Sequence, residues 1–164
     1  MVSKEYKFIF IHADRTGGNS IQNILRDYSE DDVIPYTQHP QEPWLEKFEI
    51  KNGDNLTKHA TLSAYNERWE KSGRVIQDYF KFGAIRNPWD RALSSYFFCR
   101  KTKTGTTMGT EEPFSKEQFC TGAGGWPKPL VDFYWVKKKP HVKVDFFIRF
   151  ESLQQDFHKA CDHI

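Results

Sequence analysis

Apolar segments separated by polar turns divide this chain into strand–turn–helix units. The first apolar segment, Tyr6 to Ile11, is interrupted only by Lys7, which predicts a strand buried on both faces. Beyond a pair of glycines, apolar residues recur with helical spacing at Ile21, Ile24, Leu25 and Tyr28. The pattern therefore predicts a strand, a glycine turn and a helix whose N-terminus points out of the edge of a sheet.

A second unit of the same kind follows a helix that is predicted over Thr61 to Trp69. The segment KFGAI, from Lys81 to Ile85, predicts another buried strand. Asn87 can cap a helix and Pro88 suits its first position, so we expect a helix from there to Phe98.

A third unit closes the sequence. Apolar and polar positions alternate from Val142 to Phe150 and predict a strand, and Ser152 with Gln155 forms a capping-box pattern ahead of a final helix. The polar stretch from Ser29 to Asn55 contains three prolines and predicts mostly loop. Strands that alternate with helices predict an α/β fold with a parallel sheet flanked by helices.

Composition narrows the class of protein further. A length of 164 residues predicts one domain, residues 1–164. The 24 basic and 22 acidic residues give a net charge of +2, which argues against a nucleic-acid binder held by bulk charge. Three widely spaced cysteines fit neither a disulfide framework nor a zinc site, and no apolar run is long enough for a membrane helix. We therefore expect a cytoplasmic protein without a membrane partner.

The glycine turn has the composition of an anion-binding loop. A helix N-terminus offers unpaired N–H groups and a partial positive charge, and glycine lets a ligand approach the backbone closely. The residues that would form such a cradle are Arg15, Thr16, Gly17, Gly18, Asn19 and Ser20. A plain turn between strand and helix is the alternative. The longer Walker pattern is missing, which disfavours an ordinary ATP or GTP hydrolase.

A second anion site is predicted after the second strand. Arg86 ends that strand and Ser94 lies two turns into the next helix, so both can face the same sheet edge as the glycine turn. Two anion sites on neighbouring units predict a ligand that carries a phosphate at both ends.

The motifs of both units resemble those of the PAPS-dependent sulfotransferases. FIHADRTGGNSI is similar to that family's 5′-phosphosulfate loop, and FGAIRNPWDRALSSYFF to its 3′-phosphate motif. KHATLSAY, from Lys58, and VDFFIRFESLQQDF, from Val144, are similar to further segments of carbohydrate-type, prokaryotic-like short members. The likeness spans Phe8 to Phe157 and implies the sulfotransferase fold, a P-loop-like parallel sheet flanked by helices.

The resemblance implies transfer of a sulfuryl group from PAPS to a hydroxyl, with adenosine 3′,5′-bisphosphate as product and no metal. It assigns the phosphosulfate to the glycine loop and the 3′-phosphate to Arg86 and Ser94. The acceptor is expected to be a hydroxylated small molecule or glycan, chosen by the segments Thr37 to Asn55 and Thr102 to Trp126. The chain is expected to be a short or truncated form, since family members often continue past its last motif.

The resemblance also implies catalytic residues. His59 corresponds to a histidine that serves as base in some carbohydrate-type members, with a purely local role as the alternative, and His12 is the second candidate. Arg15 stands where the family has a lysine at the oxygen bridging phosphate and sulfate.

Three other residues differ from the family's pattern or have an open role. Asp14 replaces the family's proline and would bring a negative charge beside the phosphates unless it points away. Asp90 and Arg91 are expected to pair or cap locally, with a phosphate contact of Arg91 as the alternative.

Two other functions remain open at this point. One is a protein that binds PAPS or a related nucleotide and transfers little or nothing, which the replacement of Pro-Lys by Asp14-Arg15 favours. The other is a small P-loop kinase-like transferase. The sequence makes no prediction about the oligomeric state.

Overall fold

The computed structural model describes residues 1–35, 48–51, 56–102, 115–120 and 126–164. Its strands, in chain order, are β1 (Val2–Ser3), β2 (Phe8–Ile11), β3 (Asp32–Pro35), β4 (Phe48–Lys51), β5 (Phe80–Ile85) and β6 (Phe146–Arg149). The α-helices are α1 (Gly18–Leu25), α2 (Leu62–Lys71), α3 (Pro88–Thr102), α4 (Lys116–Cys120), α5 (Leu130–Tyr134) and α6 (Leu153–Cys161).

The main sheet is mixed and has the strand order β1-β2-β5-β6. Strands β2, β5 and β6 are parallel, with Phe10 opposite Phe82 and Phe82 opposite Phe146. The prediction of a wholly parallel sheet is wrong at one edge, where β1 pairs with β2 in antiparallel fashion. Only Lys4 to Lys7 separate these two strands, too few for the crossover that a parallel pair needs.

Alternate residues of β2 enter two different cores, one on each face of the sheet. Phe8 and Phe10 pack with α1 and α6, whereas Ile9 and Ile11 pack with α2 and α5. All four side chains are fully buried, which confirms the strand buried on both faces. Burial of each contributes about 1.5–3 kcal/mol. The carboxyl end of β2 is therefore held firmly between two layers of helices.

Helices α1 and α3 begin as predicted, directly after the strands β2 and β5. In α3 the side chain of Asn87 accepts a hydrogen bond from the N–H of Trp89 at 3.0 Å, which confirms the cap. In α1 only part of the predicted stripe is buried, since Ile21 and Leu25 face the core while Ile24 is exposed. Gln22 is buried in place of Ile24 and faces the loop before the helix.

Several predictions outside these units were wrong. The antiparallel pair β3 and β4 was not predicted; it lies within the segment predicted as mostly loop, the larger part of which is outside the described residues. Strand β6 covers only the end of the alternating segment from Val142 to Phe150. Ser152 caps nothing, because its hydroxyl donates to Asp156 Oδ2 at 2.9 Å instead. Helix α5 was not predicted, because five residues are too short for a periodic signal.

Candidate functional site

The loop between β2 and α1 has two residues in the left-handed region. Arg15 has φ 60° and Gly17 has φ 84°. Within the loop the hydroxyl of Thr16 donates to the carbonyl of Ala13 at 2.9 Å, and Thr16 is fully buried. The sequence predicted that this hydroxyl faces a ligand, whereas in the structure it stabilises the bend. Asn19 and Ser20 lie exposed in the first turn of α1.

Close contacts explain why both glycines of the loop lack a side chain. A Cβ on Gly18 would lie 2.2 Å from Cδ2 of His12, closer than any real contact. A Cβ on Gly17 would lie 2.9 Å from the ring of Phe150, and its positive φ favours glycine as well. The backbone of this turn is therefore packed directly against the end of β2 and the segment after β6.

The side chain of Arg15 reaches across to α3. Its Nε and Nη2 donate to Ser94 Oγ at 3.1 and 2.8 Å, and its guanidinium lies 4.5 Å from the ring centre of Phe98. Arg86 contacts the loop backbone, with Nη1 at 3.5 Å from the carbonyl of Arg15. The structure thus brings together Arg15, Arg86 and Ser94, the side chains predicted for two neighbouring anion sites.

These side chains line an open cleft of about 550 Å³. Its remaining lining residues come from α3 and are Asp90, Leu93, Phe97 and Phe98. The Arg86 guanidinium stacks at 3.9 Å on the ring of Phe150, and its Nε has no hydrogen-bond partner among the described residues. Burial and the adjacent charge of Arg86 lower the pKa of Arg15. Two guanidinium groups held this close together favour an anion between them.

Asp14 does not face the cleft as an unpaired charge. Its carboxylate accepts a hydrogen bond from Arg91 Nη2 at 2.8 Å, and its carbonyl accepts one from Arg91 Nε at 2.9 Å. The third nitrogen of Arg91 donates to the carbonyl of Lys128 at 2.7 Å. The expectation that Arg91 pairs or caps locally was wrong, because its partners lie on other segments. Asp90 lines the cleft instead.

His59 lies against His12, the first residue of the same loop. Its Nδ1 is 2.9 Å from the carbonyl of His12, so this nitrogen carries the proton and donates. A neutral His59 then has its lone pair on Nε2. Burial is the main cause that lowers the pKa of His59, and the positive charges of Lys58 and Lys128 act in the same direction. The imidazole is therefore neutral at pH 7 and can accept a proton.

His12, the second predicted base, is buried and packed. Its Nδ1 is 2.9 Å from Gln22 Oε1, and its ring contacts that of His59 with a centroid separation of 4.8 Å. Burial holds the pKa of His12 well below its usual value. Its position under Gly18 gives it a structural role in shaping the loop.

Lys58 is a cation of this region that the sequence did not single out. Its Nζ donates to Asn19 Oδ1 at 2.6 Å, which places an ammonium group at the first turn of α1. Burial lowers the pKa of Lys58. Its position directly before His59 was visible in the sequence, but its contact lies 39 residues away along the chain.

Other predicted features fall outside this cluster. Most of the two segments predicted to choose the acceptor, Thr37 to Asn55 and Thr102 to Trp126, lies outside the described residues. Over the described ranges, the structure has no group of three or more His, Cys, Asp or Glu placed to hold a metal ion. No helix in those ranges has the length and apolar character needed to cross a membrane.

Fold and site together define an α/β protein in which the ends of two adjacent parallel strands, β2 and β5, carry a glycine loop, two arginines and a hydroxyl. Comparison with protein families identifies the particular family. The model of the sulfotransferase family matches residues 1–163, so the chain belongs to the sulfotransferase family. Comparisons with curated proteins and with solved structures found no match.

Proposed function

We propose that this protein transfers a sulfuryl group from PAPS to a hydroxyl of a carbohydrate. The observation that carries the proposal is the convergence of Arg15, Arg86 and Ser94 beside the glycine loop, at the ends of two adjacent parallel strands. Family membership supports sulfuryl transfer over the phosphoryl transfer of a kinase-like enzyme.

The residues present fit a nucleotide with phosphates at both ends. We assign the 3′-phosphate to Arg86 and Ser94, because the cleft holds both and because Arg86 Nε lacks a partner among the described residues. We assign the 5′-phosphosulfate to the loop, which would act as a P-loop-like cradle through the backbone of Gly17, Gly18, Asn19 and Ser20. Any Cβ on Gly17 or Gly18 would disturb that cradle.

Arg15 sits between the two ends and can serve either. Its two bonds to Ser94 support a place beside the 3′-phosphate, and its position in the glycine loop supports a place beside the leaving phosphate. Lys58 is the described cation that contacts the first turn of α1, so we assign it to the sulfate-bearing end together with that helix terminus. Both groups would stabilise the negative charge that grows on the leaving phosphate.

His59 would act as the general base. Its Nε2 takes the proton of the acceptor hydroxyl while the hydroxyl oxygen forms a bond to sulfur. The bond between sulfur and the bridging oxygen breaks, and its electron pair stays on the phosphate, where Lys58 and Arg15 neutralise it. Such an in-line transfer depends on positioning and charge stabilisation and needs no covalent enzyme intermediate. Its products are the sulfated acceptor and adenosine 3′,5′-bisphosphate.

The direct test is incubation with radiolabelled PAPS and a panel of glycans and small hydroxylated molecules. We expect label on at least one acceptor, and loss of that label in the Arg86→Ala variant. Tight binding of PAPS without transfer to any acceptor would instead support a binding protein. No binding of PAPS would contradict the proposal.

A further inference from the structure

The buried pair of Arg91 and Asp14 lies directly behind the loop. The exposed fraction of the Arg91 side chain is 5% and that of the Asp14 side chain is 29%, so Arg91 is buried while Asp14 remains partly exposed. Arg91 bonds both the carboxylate and the carbonyl of Asp14. This arrangement neutralises the charge of Asp14 and fixes the peptide that enters Arg15.

Helix α3 contacts the loop at two successive residues. Arg91 holds Asp14, and one turn further along the helix Ser94 holds Arg15. The carbonyls of Asp14 and Arg15 both point at guanidinium groups, those of Arg91 and Arg86 respectively. Because trans peptides are planar, the N–H groups of the following residues point the opposite way. Arg91 therefore sets the direction of the Arg15 N–H, at the start of the loop.

Asp14 also acts electrostatically on the proposed base, and Arg91 contacts a further segment of irregular structure. The negative charge of Asp14 raises the pKa of His59, against the lowering effects of burial, Lys58 and Lys128. Arg91 additionally bonds the carbonyl of Lys128, which ties that segment to the loop. One lysine ammonium in place of Arg91 cannot span these three acceptors on two segments.

We propose that Arg91 is a positioning residue, which compensates the charge of Asp14 beside the nucleotide and reduces its effect on His59 while it holds the loop in its binding conformation. The inference rests on the proposed function, since it supposes that the loop binds the phosphosulfate. It explains how a carboxylate can occupy this loop position: Arg91 compensates its charge.

The experiment compares Arg91→Gln, Arg91→Lys, Asp14→Asn and the double variant D14N/R91Q. Calorimetric titration measures their affinity for adenosine 3′,5′-bisphosphate, and NMR measures the pKa of His59. We expect Arg91→Gln to weaken the affinity by about tenfold or more, because it leaves a charged Asp14 beside the phosphates. Arg91→Lys should keep more affinity than Arg91→Gln but less than the unmodified protein. The double variant recovers most of it, because no unpaired charge remains.

The pKa of His59 provides a reading that does not need the nucleotide. It rises in Arg91→Gln, where the carboxylate is no longer neutralised, and falls in Asp14→Asn, where the carboxylate is gone. If the unmodified protein fails to bind the bisphosphate, the proposed function is wrong, and the NMR titration still decides whether Arg91 screens His59. Unchanged pKa values in both variants would overturn that part of the inference.

A second ion pair of the sheet serves as a matched control. Lys81 and Asp145 are joined at 2.8 Å, with side chains exposed by 6% and 36%, and they lie at the opposite end of β5 from the cleft. Variants D145N and K81Q should lose stability without loss of nucleotide affinity. If D14N/R91Q binds no better than Arg91→Gln, or if the control pair weakens binding equally, Arg91 is only structural and the inference fails.

Discussion

Arg15 donates two hydrogen bonds to the hydroxyl of Ser94, a residue 79 positions further along the chain. The contact joins the loop after β2 to the helix after β5, and so joins the two predicted anion sites into one cleft. Arg15, Arg86 and Ser94 consequently line the same open space.

Arg86→Ala should weaken binding of adenosine 3′,5′-bisphosphate by about 2–3 kcal/mol, because a charge-assisted contact to the 3′-phosphate is lost. Binding of adenosine 5′-monophosphate, which lacks that phosphate, should change little. Titration calorimetry with the two ligands measures the difference. Arg68→Ala, on the exposed surface of α2, is the matched control and should change neither affinity. An equal loss of affinity for both ligands would show that Arg86 does not bind the 3′-phosphate.

His59→Ala should leave nucleotide affinity unchanged and lower turnover by on the order of a hundredfold or more, because it removes the general base. The base works when neutral, and the pKa of His59 lies below its ordinary 6.5. The rate should therefore rise with pH through an inflection below pH 6.5 and stay level above it. Steady-state assays across pH 4.5 to 8 test this pH dependence, because they bracket the pKa of a free histidine, about 6.5. Full turnover in the variant would rule His59 out as the base.

Gly18→Ala should reduce both stability and nucleotide affinity, because a Cβ there collides with His12. Overpacking of this kind costs about 1–3 kcal/mol in the free energy of unfolding, which urea denaturation measures. The comparison variant is Gly73→Ala, at a residue with φ +70° and open space around it. It should lose about 1–2 kcal/mol of stability through backbone strain and keep its affinity. Wild-type affinity in Gly18→Ala would show that the tight turn is not needed for binding.

Lys58→Met should weaken ligands that carry a 5′-phosphate and spare adenosine 3′-monophosphate. The reason is that the ammonium lies at Asn19, on the α1 side of the loop, and not in the cleft with Arg86. We expect a loss of about tenfold for the bisphosphate, the size of one charge-assisted hydrogen bond. Competition binding with the two ligands checks the assignment. A loss of affinity that is equal for both ligands, or larger for the 3′-monophosphate, would contradict the assignment of Lys58 to the 5′ end.

The sequence predicted those parts of the fold that local patterns encode. The buried strands β2 and β5 and the helices after them follow from apolar runs, two glycines and the Asn87-Pro88 start signal. The strands β3 and β4 were missed because their segment is polar and because no two-residue hairpin sequence such as Asn-Gly lies between them. The antiparallel β1 was missed because two residues make no pattern.

In the functional site, too, the sequence predicted the residues of local motifs and missed the pairs that are distant along the chain. Arg86, Ser94, Arg15 and the glycines come from contiguous motifs, and the structure brings them together. The pairing of Asp14 with Arg91 and of Lys58 with Asn19 joins residues 77 and 39 positions apart, which no local spacing reveals. Charge type alone could not choose Asp14 as the partner of Arg91 among 22 acidic residues, and Asn19, the partner of Lys58, carries no charge at all.

The most direct test of the central claim is a comparison of melting temperatures with adenosine 3′,5′-bisphosphate and with ATP and Mg²⁺. A ligand that binds only the folded protein raises the melting temperature with its concentration over its dissociation constant. We predict a larger rise with the bisphosphate, and loss of that rise in Arg86→Ala. A larger rise with ATP and Mg²⁺, or none with the bisphosphate, would contradict the binding of one doubly phosphorylated adenosine between Arg86 and the glycine loop.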